Sequence, residues 1–387
     1  MKKALVILIL LAFVGGGLFA QTVTWNGNLH TGLGVRSIAG IDDTYWGLIA
    51  PPITAAGPRV RLQFRYTNAD GNAGIDTTIQ AGNTPDAWGT PAVNVGTAVG
   101  FVTFFDNMFR VQAGRFWGGQ TPFAKVDNLD GDDVFYDYGI FATVYPVDMF
   151  RFGFGLNSTT LLTENAKWDD GPITAHIHAR LSLAGLFNAT AGLRFTPSAD
   201  TSTVNADFSF NAPVIPIVDL RGFAYFNRLD DFSDAGSITG SVQVMIPYGI
   251  LMEDLRLGVY TRFSISNVEA NENPFFGGAL WLDYRTANIF PRFEIGYATG
   301  SQFSGTHTAF GNWGALYRLG PATTMYNGDY AYLHIKPSVA FRVAASQQVE
   351  LGAYIVSDMG SGSTISVAGA TEQGVTFGAY LAYQLNF

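Results

Sequence analysis

Two groups of charged residues in this sequence could act on ions. The stretch 58–66 alternates apolar residues with Arg59, Arg61 and Arg65, which is the period-2 pattern of a β-strand with its arginines on one face. Like charges so close repel each other unless negative charge stands opposite. The segment 125–133 supplies such charge in the carboxylates Asp127, Asp130, Asp132 and Asp133. We therefore expect arginines and aspartates to face each other, which would select small ions by charge.

Metal chemistry is a weaker prediction. His176 and His178 are two residues apart, so both fall on one face of a strand, as a metal-binding pair would. The sequence has five histidines and offers no obvious third ligand, so a role in lining an interior surface is favoured. The segment 127–133 lacks the spaced aspartates and the distal glutamate of a calcium loop. We expect no metal site.

Motifs of common enzymes are missing from the sequence. It has no Gly-x-Ser-x-Gly elbow, no His-Glu-x-x-His, no phosphate-binding Gly-Lys loop and no dinucleotide fingerprint. We expect no catalysis, no cofactor and no nucleic-acid partner. An enzyme built from scattered His, Asp and Ser at the rim of a barrel stays open as a minor alternative.

The elements that must position these charges are β-strands. The chain contains 45 Gly, 31 Phe and 17 Tyr with only 14% charged residues, and no apolar run after residue 20 approaches the roughly 20 residues of a transmembrane helix. Alternation predicts about eighteen strands of roughly ten residues, joined alternately by short links and long polar loops such as 37–57, 117–137 and 299–328. This pattern predicts an all-β fold, a transmembrane antiparallel up-and-down β-barrel. Ambiguous alternation at 138–145 and 216–226 leaves sixteen strands as an alternative.

Both ends of the chain carry their own signals. Residues 1–20 combine Lys2 and Lys3 with a short apolar run and a small residue at Ala20, which predicts a cleaved secretory signal peptide. Residues 21–387 are then expected to form a single barrel domain. The sequence contains no cysteine, so neither a disulfide nor a lipidated cysteine is expected.

The last strand predicts how the barrel closes. Residues 374–387 alternate apolar and polar side chains up to the final Phe387, and a long apolar edge would promote aggregation if it stayed unpaired. We expect this strand to pair with the first one. It resembles the C-terminal signature of bacterial outer-membrane β-barrel proteins, in which the terminal strand is recognised by the barrel assembly machinery. The resemblance assigns that role to Phe377, Leu381, Tyr383, Leu385 and Phe387.

The order of the loops resembles that of general porins. In that family the third external loop folds into the barrel, where its carboxylates face arginines on the wall, and 117–137 is the third long loop here. The resemblance therefore implies a constriction between this loop and the wall, and it implies a homotrimer. The family's usual acidic Phe-Gly-Gly loop sequence is missing. The aromatic residues expected to pack the loop against the wall are Phe116, Trp117, Phe123, Phe135 and Tyr136.

If the apolar register faces lipid, the opposite register faces the lumen. The basic residues in that register are Arg36, Arg59, Arg61, Arg65, Arg110, Arg151, Arg180, Arg194, Arg221, Arg256, Arg262, Arg285, Arg292, Lys336 and Arg342. The acidic ones are Asp76, Asp207, Asp219, Asp283, Glu294 and Glu350. The wall is thus predicted to be positive, although the whole chain has a net charge of -9.

These features predict an outer-membrane porin that admits small hydrophilic solutes by passive diffusion, with a mild preference for anions. Arg36, Arg59, Arg61, Arg65 and Arg110 are expected at the constriction. Both termini are expected in the periplasm, and the outer surface contacts outer-membrane lipid. A substrate-selective sugar channel is the alternative, since inward aromatic residues could stack on sugar rings. An adhesin or surface-structural barrel is the third interpretation.

Overall fold

A computed structural model describes the part of the chain in which the wall strands lie. The described residues are 22–37, 44–50, 55–56, 59–83, 91–117, 121, 123, 135–158, 173–197, 202–215, 217–266, 275–299, 323–325, 331–358, 365–367, 370–372 and 375–387. The predicted signal peptide, residues 1–20, lies outside them, as do Asp127, Asp130, Asp132 and Asp133.

Nearly all regular structure in the described residues is β-strand. The strands are β1 (Thr22–Ser37), β2 (Thr44–Ala50), β3 (Ala55–Ala56), β4 (Arg59–Thr67), β5 (Ala73–Asn83), β6 (Pro91–Phe104), β7 (Phe109–Trp117), β8 (Tyr136–Val147), β9 (Phe150–Ser158), β10 (Ile173–Leu183), β11 (Phe187–Thr196), β12 (Thr203–Ile215), β13 (Val218–Asn227), β14 (Ser237–Ile246), β15 (Leu255–Ser266), β16 (Phe275–Tyr284), β17 (Ile289–Thr299), β18 (Thr323–Met325), β19 (Ala331–Ala344), β20 (Gln347–Asp358), β21 (Ile365–Val367), β22 (Ala370–Glu372) and β23 (Val375–Asn386). One 3-10 turn spans Leu229–Asp231. No helix among the described residues is long and apolar enough to cross a membrane.

Eighteen of these strands form a closed antiparallel barrel. The barrel closes where β1 pairs with β23, from Asn28 opposite Asn386 to Ser37 opposite Phe377. Backbone hydrogen bonds between Gly27 and Phe387, of 2.6 and 2.9 Å, extend this seam to the last residue. The predicted barrel and its strand number are confirmed, and the two ambiguous segments are the wall strands β8 and β13, so the sixteen-strand alternative is wrong.

Short turns join the wall strands at one end of the barrel, and the long connections lie at the other. We call these the short-turn end and the long-loop end. The short turns follow β4, β6, β8, β10, β12, β14, β16 and β19. The sequence predicted this alternation of connection lengths.

Three of the segments predicted as loops, 37–57, 299–328 and 358–373, contain strands. Within 37–57, β2 pairs with the C-terminal part of β1, from Gly32 to Ser37. The next wall strand, β4, pairs with the N-terminal part of β1, from Thr22 to His30. Both are antiparallel to β1, so β2 and β4 together cover one side of it, with β3 pairing back onto β2. Near the long-loop end, β18, β21 and β22 form a separate three-stranded sheet.

The two faces of the wall differ in the way that a barrel in lipid requires. Large apolar side chains such as Phe152 and Phe154 on β9 and Ile177 on β10 are exposed on the outer face. The alternate positions, such as His176 and His178, are buried on the inner face and are polar or small. Successive side chains on a strand point to opposite faces, which produces this division.

Inward rings lie over glycines of neighbouring strands. A methyl group at Gly153 would lie 2.5 Å from Phe123 Cε2, and one at Gly258 would lie 2.7 Å from Trp281 Cζ2. Tyr380 covers Gly352 in the same way. Any side chain at these glycines would displace a ring, so the glycine is what lets the ring lie against the wall.

Candidate functional site

The candidate site is the inner wall of the barrel, where basic side chains outnumber acidic ones. Each of the predicted inward carboxylates forms an ion pair with a basic residue. The pairs are Asp76 with Arg65, Asp207 with Arg194, Asp219 with Arg221, Asp283 with Arg256, Arg285 and Arg292, Glu294 with His334 and Lys336, and Glu350 with Arg292. Because several basic side chains share one carboxylate, the described wall keeps an excess of positive charge.

Arg61 and Arg65 lie on β4, and Arg59 begins that strand opposite His30 of β1. The nearest negative charge to Arg65 comes from the next strand, where Asp76 of β5 is its direct cross-strand partner. Arg65 Nη2 donates to Asp76 Oδ2 at 2.7 Å, and Gln63 Nε2 donates to Asp76 Oδ1 at 3.0 Å. The sequence placed Asp76 on the inner face but did not predict this pairing, which follows from the register of the β4–β5 hairpin.

Arg36 and Arg110, which were also predicted at the constriction, lie at different heights in the barrel. Arg36 is near the long-loop end of β1 and is completely buried. It lies in one inter-strand row with Gly378 and Tyr354. Arg110 is the second residue of β7, at the short-turn end, with its guanidinium 4.1 Å from the centre of the Phe101 ring. The predicted residues therefore do not form one cluster.

The described parts of the loop 117–137 lie inside the barrel. Phe123 is fully buried, with its ring centre 5.7 Å from that of Phe141 and 5.6 Å from that of His178. Phe135, at the other end of the loop, packs edge-on against Phe141 at 4.9 Å and against Phe116 at 4.7 Å. We call Phe116, Phe123, Phe135 and Phe141 the aromatic cluster. It fixes two points of the loop to the inner wall.

The sequence predicted a packing role for Phe116, Phe123 and Phe135, and the structure confirms it. The side chains of Trp117 and Tyr136, predicted for the same role, lie outside the described residues. Sequence reasoning missed Phe141 and the glycines Gly153 and Gly155 beneath the rings. Alternation does show that these glycines face inward, which is the only signal that could have pointed to them.

His176 and His178 support the aromatic cluster. His176 Nε2 is 2.8 Å from Asn157 Oδ1, and His178 Nε2 is 3.5 Å from His176 Nδ1. Phe135 packs on His176 at 4.9 Å between ring centres. Among the residues that the structure describes, no group of three or more potential ligands could hold a metal ion. Both imidazoles face the interior, where Phe123 packs on His178 and Phe135 packs on His176.

The carboxylate of Asp283, near the short-turn end, forms ion pairs with three arginines. Its Oδ2 accepts from Arg256 Nη2 and Arg285 Nε, each at 3.1 Å, and its Oδ1 lies 3.4 Å from Arg292 Nε. The hydroxyl of Tyr248, in the turn after β14, also donates to Asp283. Burial, followed by this hydrogen bond, raises the pKa of Tyr248 to about 12. One buried carboxylate thus holds three cations and a neutral phenol.

A second charged cluster spans β17 and β19. Lys336 Nζ is 2.5 Å and His334 Nε2 is 2.9 Å from Glu294 Oε1, and all three residues are buried. Nearby, Tyr380 donates to Glu350 at 2.8 Å. These charged groups are buried against one another and therefore present little surface to a solute.

The residues of the terminal strand occupy the outer face of β23. Phe377, Leu381 and Phe387 are exposed there, while Tyr383 and Leu385 are half-buried. This is the alternation that the sequence predicted. Their recognition by the assembly machinery stays a prediction.

Solved structures share this fold at low sequence identity. OprD of Pseudomonas aeruginosa superposes with a TM-score of 0.55 and 10% identity, covering 94% of this chain and 95% of that protein. OpdL of Pseudomonas aeruginosa gives a TM-score of 0.54 and 10% identity, covering 94% and 98%. An anion-selective porin from Comamonas acidovorans gives 0.49 and 12%, covering 95% and 100%. No protein-family model matches the chain, and no curated protein matches it.

The likeness to OprD and OpdL concerns architecture. The chain therefore shares the overall fold of these two proteins over nearly its whole length. At about one residue in ten identical, it transfers no individual residue role.

Proposed function

We propose that the protein is a porin of the bacterial outer membrane, a water-filled channel through which small hydrophilic solutes diffuse passively. The observation that supports this most strongly is the closed eighteen-strand barrel with an apolar outer face and a charged inner face. Barrels of 16–18 strands leave an aqueous channel, whereas eight strands are filled by side chains. In this proposal the short-turn end and both termini face the periplasm, and the long loops face outward.

A mild preference for anions follows from the charge of the wall. Arg65 pairs with Asp76, whereas the cross-strand neighbour of Arg61 on β5 is the neutral Gln80, so β4 with β5 keeps a positive charge. A positive wall concentrates anions in the lumen and repels cations.

The alternative of a sugar-selective channel has less support. Stacking on a sugar needs ring faces that are open to the lumen. Tyr260, Trp281, Tyr354 and Tyr380, four of the inward aromatic residues considered for that role, are at most 7% exposed. Their rings are covered by neighbouring side chains or lie on glycines, so they are unsuited to binding a solute.

The test is ion selectivity in a planar bilayer. We expect stable single-channel openings of the refolded protein and a reversal potential, in a salt gradient, that favours anions. Replacing Arg59, Arg61 and Arg65 together by Ala should raise relative cation permeability. The matched control replaces the same residues by Lys, which keeps the charge and should keep the selectivity.

The outcomes separate the three functions. An unchanged reversal potential in the Ala variant would show that the arginines of β4 do not contribute to the ion selectivity of the channel. Current block that saturates with oligosaccharide would favour the sugar channel. A correctly folded barrel, checked by heat-modifiable gel migration, that gives no conductance would favour a surface-structural barrel or an enzyme at the rim.

A further inference from the structure

A cavity of about 780 Å³ opens on the inner wall near the short-turn end, in the sector from β4 to β9. Its basic lining residues are Arg65, Arg110 and Arg151. Thr121, from the inward loop, also lines it. Cavities of about 300–1,000 Å³ commonly hold small organic ligands. The cavity therefore has room for a solute larger than a simple ion.

The three arginines of this cavity differ in their partners. Arg65 is paired with Asp76 at 2.7 Å. Arg110 lies over the ring of Phe101 at 4.1 Å, and Arg151 lies over the ring of Tyr145 at 5.5 Å. Within the described part of the chain, neither Arg110 nor Arg151 forms an ion pair with a carboxylate, and the Nε of each is buried without a hydrogen-bond acceptor.

These two guanidinium groups are suited to an oxyanion. An arginine held against an aromatic ring keeps the donors on its edge in a fixed fork, and such a fork matches the two oxygens of a carboxylate or phosphate. Arg110 and Arg151 are on β7 and β9, and Arg151 is two residues from Gly153, which lies in the same inter-strand row as Arg110, so their backbones are roughly 12 Å apart. Long side chains from both positions can reach one group lying between them.

Negative charge near the cavity does not cancel this preference. Three carboxylates line the cavity. Asp76 is paired with Arg65, and Asp106 and Asp148 lie in the turns at the short-turn end and are exposed to water. Water and salt screen such exposed charges strongly. Arg110 and Arg151 are partly buried, so their charge is screened less.

We propose that Arg110 and Arg151 form a binding site for the oxyanion group, carboxylate or phosphate, of a small solute at the short-turn end of the lumen. This inference rests on the proposed channel function, because the solute reaches the site through the lumen. It adds a specific solute site, separate from the general anion preference of the wall.

The test is equilibrium binding, measured by isothermal titration calorimetry on the full refolded protein in detergent. Inorganic phosphate and succinate are titrated separately at low salt. We expect saturable binding of at least one of them, and the one that binds identifies which group the site prefers. The double variant Arg110→Gln with Arg151→Gln should weaken binding by about tenfold or more, as expected for the loss of charged hydrogen-bond donors.

Arg221→Gln is the matched control. It removes one inward arginine near the same end of the barrel, but Arg221 is already paired with Asp219 at 2.7 Å. Binding should persist in this variant. Absence of saturable binding of both anions, or equal binding by the double variant, would overturn the site. Binding without conductance in planar bilayers would support the site and refute the proposed channel function.

Discussion

Removing the ring of Phe123 should release the inward loop from the wall. Phe123 is fully buried between Phe141 and His178. Truncating a buried Phe to Ala costs about 3–5 kcal/mol in a protein core. We take about 3 kcal/mol for Phe123→Ala, because the rest of the aromatic cluster remains. Since about 1.4 kcal/mol is a factor of ten, the ratio of docked to undocked loop should fall about 100-fold.

Two assays report on the position of the loop. Limited trypsin digestion in detergent should cleave after Lys125 faster in the Phe123→Ala variant than in the unmodified protein. Single-channel recordings should show larger and more variable conductance. Phe154→Ala is the matched control, because Phe154 is on β9 but lies on the outer face and is 51% exposed.

A second variant keeps the ring of Phe123 but fills the space over Gly153 in which the ring lies. In Gly153→Ala the added methyl group would lie 2.5 Å from Phe123 Cε2 and 2.7 Å from Phe141 Cζ, so the rings must move. We expect the same direction of change in both assays. The reasoning would be refuted if both variants kept the protease resistance and conductance of the unmodified protein.

Two further predictions concern carboxylates at opposite ends of the barrel. Asp283→Asn should lower stability by about 3 kcal/mol, because it removes the carboxylate that Arg256 and Arg285 share and leaves Arg292 with Glu350 alone. Denaturant unfolding in detergent measures this, and Asp219→Asn, which removes the partner of one arginine, should cost less. Asp230, in the loop after β13, accepts from the Val204 amide at 2.7 Å. That hydrogen bond is the main cause that lowers the pKa of Asp230 below its ordinary 3.8. Its stabilising contribution is therefore complete above pH 3.8 and is lost as the pH falls through the lowered pKa; NMR titration of the side-chain carboxyl gives the midpoint.

Equal destabilisation by Asp283→Asn and Asp219→Asn would show that sharing one carboxylate among several arginines adds nothing to the stability of the barrel. A titration midpoint for Asp230 at or above 3.8 would contradict the role given to the Val204 amide.

The sequence predicted the barrel because membrane strands carry a simple signal. Alternation along a strand depends only on which face meets lipid, so it can be read from one strand alone. That is why the inner and outer faces, the pairing of β23 with β1 and the strand count agree with the structure. The packing of Phe123 and Phe135 was also predictable, because large aromatic residues in a polar loop need an apolar partner.

Features that depend on register could not be predicted in the same way. The pairing of Arg65 with Asp76 requires the exact alignment of two strands, and a slip of one residue changes every such pair. β2 and β4 pair with different parts of the same strand, β1. Which part each one takes depends on their competition for β1, and alternation within a single strand does not show this. The different heights of Arg36 and Arg110 do follow from the sequence, because Arg36 precedes the long loop 37–57 whereas Arg110 follows a short turn.

The glycines beneath the inward rings affect the inner diameter of the barrel. A ring that lies over a glycine, as Trp281 does over Gly258 and Tyr380 does over Gly352, adds little thickness to the wall. The lining is therefore thin even where it is aromatic, and a wide passage can coexist with many rings. Single substitutions at such glycines would push a ring toward the axis and narrow the passage. A single substitution can thus change the inner diameter of the barrel, while the number of strands stays at eighteen.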